Sequence, residues 1–286
     1  MIKGILIYNV SNKSNKFYDN YMMYVNAANY YNVDLELITN EDIYMDMRIL
    51  SNVDFVIYMD KDMYLASLIK DLNIKMYNDS DSIRICDSKI LTYKALLDKG
   101  IDMPKTIVSP KLYKTFKEDI RFIEYVEKSL NYPMIIKEAK GSFGAQVYLV
   151  NNRQELIDTR SNFIDKDHLF QEFISESYGQ DLRIYVVGNK VVASTKRINK
   201  YSFKANASSG GIMTKYEPSY EYNDLAIKAS TLLGLDFSGV DILFGKNNKP
   251  ILCEVNSNAH IKNIYDYLNI DVAKDIIQYI LEDIKK

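Results

Sequence analysis

Tryptophan is absent from this 286-residue sequence, and cysteine and histidine are scarce. With only Cys86 and Cys253 there is no disulfide framework, and a reducing cytoplasm is the expected setting. His168 and His260 are too few for a multi-histidine metal site. No apolar run approaches the roughly 18 residues of a membrane span, and Gly4-Ile5-Leu6-Ile7-Tyr8 is too short for the apolar core of a secretion signal. A basic excess is missing as well. Thirty-six Lys and Arg face 38 Asp and Glu, a net charge of −2, so neither nucleic acid nor a membrane surface is expected as a partner. What remains is ordinary globular composition, 47% apolar and 26% charged, in a chain long enough for two or three lobes around a cleft.

Strand signals at Ile5–Tyr8, Val33–Ile38 and Phe55–Tyr58 alternate with helical stretches at Tyr21–Tyr31 and Tyr64–Leu72, the pattern of a parallel α/β unit. The turn Asn9-Val10-Ser11-Asn12 has no glycine, which excludes a dinucleotide fingerprint, and no P-loop motif occurs anywhere. A second region starts near Asp87. It reads as a helix over Ser88–Lys99 stopped by Gly100, a loop or edge strand from Pro104, and a helical stripe of Phe116, Ile120, Ile123, Val126 and Leu130. Two strands follow, Met134–Ala139 and Gln146–Val150, then a helix over Asn151–Phe163. The third region is sheet-rich. It holds a strand at Leu169–Ile174, hairpins at Leu182–Thr195 and Val240–Val255, a helix near Asp224–Leu233, and a closing amphipathic helix marked by Val272, Ile276, Ile280 and Ile284. The predicted boundaries are 1–87, 88–170 and 171–286.

The hairpin Gly239-Val240-Asp241 … Glu254-Val255-Asn256 is the most informative segment. A four-residue loop, Lys246–Lys249, sets Leu243 against Leu252 and Asp241 against Glu254, and alternation puts Glu254 and Asn256 on one face. Two facing carboxylates about 5 Å apart at Cβ repel unless a cation lies between them. Oxygen ligands without His or Cys suit Mg²⁺, which completes its shell with phosphate and water. A solvent-facing hairpin is the alternative, disfavoured by its apolar flanks. The segment Lys137 … Gly141-Ser142-Phe143-Gly144 offers a second element: a strand lysine and a glycine loop whose amides and hydroxyl can hold phosphates. Such loops are usually plain hairpin connections, but nucleotide with Mg²⁺ accounts for both features together.

Taken in order, Ile136-Lys137, Gly141–Gly144, Gln171-Glu172-Phe173-Ile174, Asp181-Leu182-Arg183, Lys196-Arg197, Phe203–Asn206, Gly210-Gly211, Gly239–Asp241 and Glu254–Asn256 resemble the ATP-grasp ligases, in particular the RimK-like α-L-glutamate ligase branch. The resemblance spans nearly the whole chain. It implies an α/β chain with the ATP-grasp fold: an N-terminal pre-ATP-grasp α/β domain over 1–87, a small central lobe with the glycine loop over 88–170, and a C-terminal lobe with the metal site over 171–286. It implies nucleotide contacts at Lys89, Lys137, Gly141, Ser142, Glu172, Phe173, Ile174, Asp181, Lys204 and Asn206. Asp241, Glu254 and Asn256 match the metal ligands, for two Mg²⁺ ions or Mn²⁺ in their place, and Arg197 a basic residue beside the transferring groups.

Local chemistry leaves rival readings. The Gly188-Asn189 turn sets Asp181 opposite Lys196, so a structural ion pair competes with ribose binding, and Arg183 on the same face could merely support it. Lys89 could be a solvent lysine, Glu172 a solvated strand charge, Cys253 a core residue and His260 a surface histidine. The chain departs from the family at Ser88, at Ala145-Gln146 and at Ser257-Asn258-Ala259-His260, the last a segment expected to touch the acceptor. The implied activity is an ATP-dependent carboxylate–amine ligase working through an acyl phosphate, with a small or peptide carboxylate and an amino acid as substrates. A phosphotransferase acting on a hydroxyl and a non-catalytic nucleotide-binding protein are the alternatives. Oligomeric state is not readable, and a homo-oligomer stays open.

Overall fold

The computed structural model describes residues 1–12, 14–114, 117–141, 144–206 and 210–286. Phe116, Ser142 and Phe143, singled out in the sequence, lie outside these residues. The first lobe runs β1 (Lys3–Tyr8), α1 (Asn15–Tyr30), β2 (Asp34–Thr39), α2 (Asn40–Met45), β3 (Phe55–Met59), α3 (Met63–Asp71) and β4 (Met76–Tyr77), followed by α4 (Ser80–Cys86). Its strands pair in parallel in the order β2-β1-β3-β4. The runs Ile5-Leu6-Ile7 and Phe55–Tyr58 are continuously apolar because this sheet is covered on both sides. Leu6 and Ile57 pack toward α1, while Ile5, Ile7, Val56 and Tyr58 pack with Leu65 and Ile69 of α3.

The middle of the chain holds α5 (Lys89–Leu96), β5 (Thr106–Val108), α6 (Ile120–Leu130), β6 (Met134–Glu138), β7 (Val147–Val150), α7 (Arg153–Ser161) and β8 (His168–Glu172). Its sheet has the antiparallel order β5-β8-β6-β7. Ile123, Val126 and Leu130 of α6 seal one face against Met134, Ile136 and Phe170. The helix expected to reach Lys99 ends at Leu96, because Asp98 and Gly100 both take left-handed backbone angles (φ 60° and 68°). β8 belongs to this sheet, so the expected boundary between 170 and 171 falls inside a strand.

The last region comprises β9 (Gln180–Val187), β10 (Lys190–Ile198), β11 (Ile212–Lys215), α8 (Tyr220–Leu232), β12 (Phe237–Phe244), β13 (Pro250–Asn256), α9 (Lys262–Leu268) and α10 (Val272–Asp283). The strands form one antiparallel sheet ordered β11-β10-β9-β12-β13. α8 covers one face over Leu182, Ile184, Val186, Val240 and Ile242. Near one end of the other face, Ile276 and Ile280 of α10 join Tyr185 and Val187 to the α1 side of the first lobe. Among the described residues no helix is long and apolar enough to cross a membrane.

Both hairpin registers need correction. In β9–β10, Val191 pairs with Val186 but Ala193 with Tyr185, so Val192 is an extra residue and Asp181 faces Arg197 rather than Lys196. In β12–β13 the connection is one residue longer than expected, with Phe244 against Pro250 and Ile242 against Leu252. A bulge at Cys253 absorbs the difference and restores Asp241 opposite Glu254. It also explains how Leu252 and Val255, three positions apart, both enter the α8 core.

Candidate functional site

The uncovered part of the C-terminal sheet, the glycine-loop end of β6–β7 and the first lobe enclose a cavity of about 530 Å³. Alternation along β9 sends Leu182, Ile184 and Val186 to α8 and Asp181, Arg183 and Tyr185 into this cavity. β12 adds Asp241, β13 adds Glu254 and Asn256, and β10 adds Arg197.

Four of these groups form one buried ion network. Arg183 forks onto Asp241, Nε to Oδ1 at 2.7 Å and Nη2 to Oδ2 at 2.6 Å. Arg197 forks onto Asp181, with both bonds at 2.6 Å, and its Nη2 also lies 3.0 Å from Asp241 Oδ1. Asp241 is 3% and Arg197 5% exposed. Burial works to raise the Asp241 carboxyl, but Arg183 and Arg197 prevail and hold it below the ordinary carboxylate range. Burial works against the Arg197 charge, but Asp241 and Asp181 keep it firmly protonated. Two arginines thus compensate the Asp241 carboxylate.

The lysines approach from the middle lobe. Ser88 caps α5 by accepting from Leu91 N at 3.4 Å, and the Lys89 N–H donates to Ala139 O at 2.8 Å. This fixes the helix start beside the glycine loop. Lys89 Nζ donates to Gly141 O at 3.3 Å and lies 3.5 Å from Glu254 Oε1. Lys137 shares its face of β6 with Ile135 and is 5% exposed; burial pushes its ammonium below the ordinary value, with Cys253 and Glu254 opposing. Lys204 Nζ donates to Gly144 O at 2.6 Å. Gly141 holds φ +139°, and a Cβ there would meet Gln146 Oε1 at 2.4 Å, so this position needs glycine.

The cavity changes character along β9. The Gly179 N–H donates to Phe203 O at 3.2 Å, and Phe203 stands edge-on to Phe173 with ring centroids 6.3 Å apart. Glu172, Phe173, Ile174 and Asn206 line this end. Past Asp181 and Arg183, Tyr185 donates its hydroxyl proton to His260 O at 2.9 Å, where the lining turns polar. There the Asp60 carboxylate accepts from Asn9 Nδ2 at 3.1 and 3.2 Å and from Lys61 N at 2.6 Å, and Asn258 Nδ2 donates to Asp60 O at 3.2 Å. Burial, Lys16 and Arg183 push the His260 imidazole down to about 4, so it is neutral at pH 7. This histidine lines the cavity, where the sequence suggested an exposed one. Asn78 anchors this end: Nδ2 donates to Phe237 O (3.0 Å) and Ser257 O (2.8 Å), and Oδ1 accepts from Asp236 N (2.7 Å) and Phe237 N (3.1 Å).

Among the described residues no cluster of three His, Cys, Asp or Glu side chains forms a metal centre by itself. The oxygen donors nevertheless suit a hard cation. Asn256 donates its Nδ2 to Gly239 O at 3.3 Å, which leaves Oδ1 as an acceptor, and Glu254 lines the cavity. Of the roughly four lone-pair directions of the Asp241 carboxylate, guanidinium groups take three. Asp241, Glu254 and Asn256 together with phosphate oxygens can therefore hold Mg²⁺. Every sequence-predicted site residue other than Ser142, which is not described, lines this one cavity.

The model of the RimK-like ATP-grasp domain matches residues 86–280. The chain belongs to that family. A probable α-L-glutamate ligase of Maridesulfovibrio salexigens is 34% identical over 212 residues, covering 73% of this chain and 68% of that protein. Human N-acetylaspartylglutamate synthase A is 30% identical over 223 residues, covering 77% of this chain but 56% of the human protein. Among solved structures, D-alanine–D-alanine ligase from Bacillus anthracis in complex with ATP superposes with a TM-score of 0.77 over 99% of this chain and 97% of that one. At 17% identity this likeness shows the α/β ATP-grasp fold alone. This RimK-like chain is an ATP-dependent ligase, and the ATP-grasp ligases use ATP with divalent metal.

Sequence reasoning passed over the contributions of the first lobe, Asn9, Lys16 and Asp60, and the anchor Asn78, none of which sits in a motif. The sequence places Arg183 in the Asp181-Leu182-Arg183 motif and on the face of Asp181, but gives it no role beyond supporting that residue.

Proposed function

We propose that the chain joins a carboxylate of a small acid or peptide to the amine of an amino acid, glutamate or another, converting ATP to ADP and phosphate. The observation that carries the reading is the order along β9, with the charged cluster lying between an aromatic end and a polar end. Adenine fits against Phe173 and Phe203, with Glu172, Ile174 and Asn206 around it and Asp181 toward the ribose. Lys89, Lys137, Lys204 and the Gly141 amide hold the phosphates, as Ser142 would by its hydroxyl. The organic substrates occupy the end lined by Asn9, Asp60 and Asn258. The similarity to a probable α-L-glutamate ligase and to an N-acetylaspartylglutamate synthase favours glutamate as the amine.

A substrate carboxylate oxygen attacks the γ-phosphorus and ADP leaves with the bridging oxygen. The amine nitrogen then attacks the acyl carbon, phosphate departs and the nitrogen gives up a proton. Arg197, held protonated, faces the negative charge that develops on the acyl oxygen. Two Mg²⁺ ions, with Mn²⁺ able to replace them, would be held by Asp241, Glu254 and Asn256 and would offset phosphate charge. The lysines keep the phosphates in line for attack.

The test is phosphorus NMR of the protein with Mg·ATP and pooled carboxylates and amino acids. ADP and free phosphate appearing together, only when both an acid and an amine are present, is the expected result. A stable phosphorylated product would make the chain a kinase, and AMP with pyrophosphate would refute the acyl-phosphate route.

A further inference from the structure

We infer that Arg183 closes the carboxylate site to free divalent cations, so that metal is accepted only on the phosphates of a nucleotide. This rests on Asp241, Glu254 and Asn256 being the metal ligands. Arg197 forks onto Asp181 and reaches Asp241 only through Nη2 at 3.0 Å, whereas Arg183 forks onto Asp241 itself at 2.7 and 2.6 Å. The remaining carboxylate, Glu254, already has Lys89 at 3.5 Å.

The local charges favour neither a bare cation nor an empty cleft. Asp181, Asp241 and Glu254 face Arg183, Arg197, Lys89 and Lys137 in the same cavity, three negative charges against four positive. Leaving out Lys137 altogether brings the sum to zero. A free Mg²⁺ would have to shed part of a tightly held water shell to enter a site without net negative charge. It would also have to displace a forked, charge-assisted pair on a buried carboxylate. A triphosphate reverses this balance. Its oxygens bring several negative charges and offer the guanidinium groups new acceptors, which frees Asp241 oxygens for the metal that arrives with it. Arg183 is therefore a positioning residue. It keeps Asp241 ionised and oriented on the cavity face of β12, and it sets the order in which ligands load.

Electron paramagnetic resonance of free Mn²⁺ tests this, with and without a non-hydrolysable ATP analogue, on wild type, R183Q, R183K and D241N. Wild type is expected to bind Mn²⁺ alone at least tenfold more weakly than with the analogue. R183Q should bind Mn²⁺ alone at least tenfold more tightly than wild type, and R183K, which keeps the charge, should stay near wild type. Equal Mn²⁺ affinity of wild type with and without the analogue would overturn the inference, a result that needs no variant to fold. So would an R183Q protein no tighter than wild type, while D241N still abolished binding with the analogue. Analogue-dependent Mn²⁺ binding that survives D241N would instead remove the ligand assignment on which the inference rests.

Discussion

Replacing Asp241 by Asn keeps the side chain's size and removes one charge from the set Asp181, Asp241, Arg183 and Arg197. That set is neutral in the folded chain, and the substitution leaves it one positive charge in excess at a position 3% exposed. Arg183 suffers most, because both its bonds, 2.7 and 2.6 Å, end on this carboxylate. An amide offers one oxygen, and its nitrogen would then face another N–H donor. Breaking a buried ion pair from one side costs about 3–5 kcal/mol. The Arg183 side chain keeps 16% exposure, which argues for the lower end, about 3 kcal/mol. With an unfolding entropy of about 2.1 cal/mol/K per residue over 286 residues, that becomes a fall in Tm of about 5 °C. Thermal unfolding at pH 7 without ligand measures it, alongside R183Q and the double variant. Removing the stranded guanidinium as well should recover part of the loss, with a coupling of about 1–3 kcal/mol. A D241N protein as stable as wild type, or strictly additive variants, would refute the account of the network.

Lys137→Met should separate stability from binding. The ammonium is 5% exposed and burial already works against its charge, so the variant without nucleotide is expected to be at least as stable as wild type. Affinity for an ATP analogue, measured by calorimetry, should fall about 10- to 100-fold, the worth of one charge-assisted bond to phosphate. Equal losses of both would make this lysine a structural residue. Asp236 supplies a pH dependence outside the cavity. Burial raises its carboxyl from the ordinary 3.8 to about 6, against the opposing bond from Tyr279 Oη at 2.9 Å. A folded value above the unfolded one gives stability that is present below about pH 4 and lost as pH rises through about 6, at most about 3 kcal/mol for such a shift. Asp236→Asn keeps an acceptor for Tyr279 but never ionises. Urea unfolding should show it gaining on wild type between pH 4 and 6 and more stable at pH 7, and a constant difference across that range would rule the explanation out.

Much of this architecture was legible because its signals are local. The apolar runs Ile5–Ile7 and Phe55–Tyr58 announce strands buried on both faces, and Ile123, Val126 and Leu130 mark one stripe of α6. α4 escaped notice: it is seven residues long, begins on Asp79 accepting from Asp81 N, and carries no stripe long enough to read. The polar end of the cavity was illegible for another reason. Asn9, Asp60 and Asn258 meet only when the first lobe closes on the C-terminal sheet, and no spacing along the chain records that.

The charged cluster shows where pattern reading stops. Counting from Gly188-Asn189 sets Asp181 against Lys196, and one unpaired residue, Val192, changes the partner to Arg197. A bulge has no compositional signature, yet this one decides the chemistry, because beyond it every side chain of β10 is offset by one place and presents the opposite face. Without it, Lys196 would face Asp181 from the cavity side, and its single ammonium cannot fork onto a carboxylate while also reaching Asp241. With it, Lys196 lies on the α8 side, 4.7 Å over the Phe244 ring, and the planar guanidinium of Arg197 bridges both acids. The bulge at Cys253 does the matching work on β13, keeping Glu254 opposite Asp241 despite the longer loop. The neutral balance of Asp181, Asp241, Arg183 and Arg197 therefore depends on one inserted residue, Val192, and the facing of Asp241 and Glu254 on another, Cys253; both are uncharged, and moving either would separate its groups without altering one of the motifs.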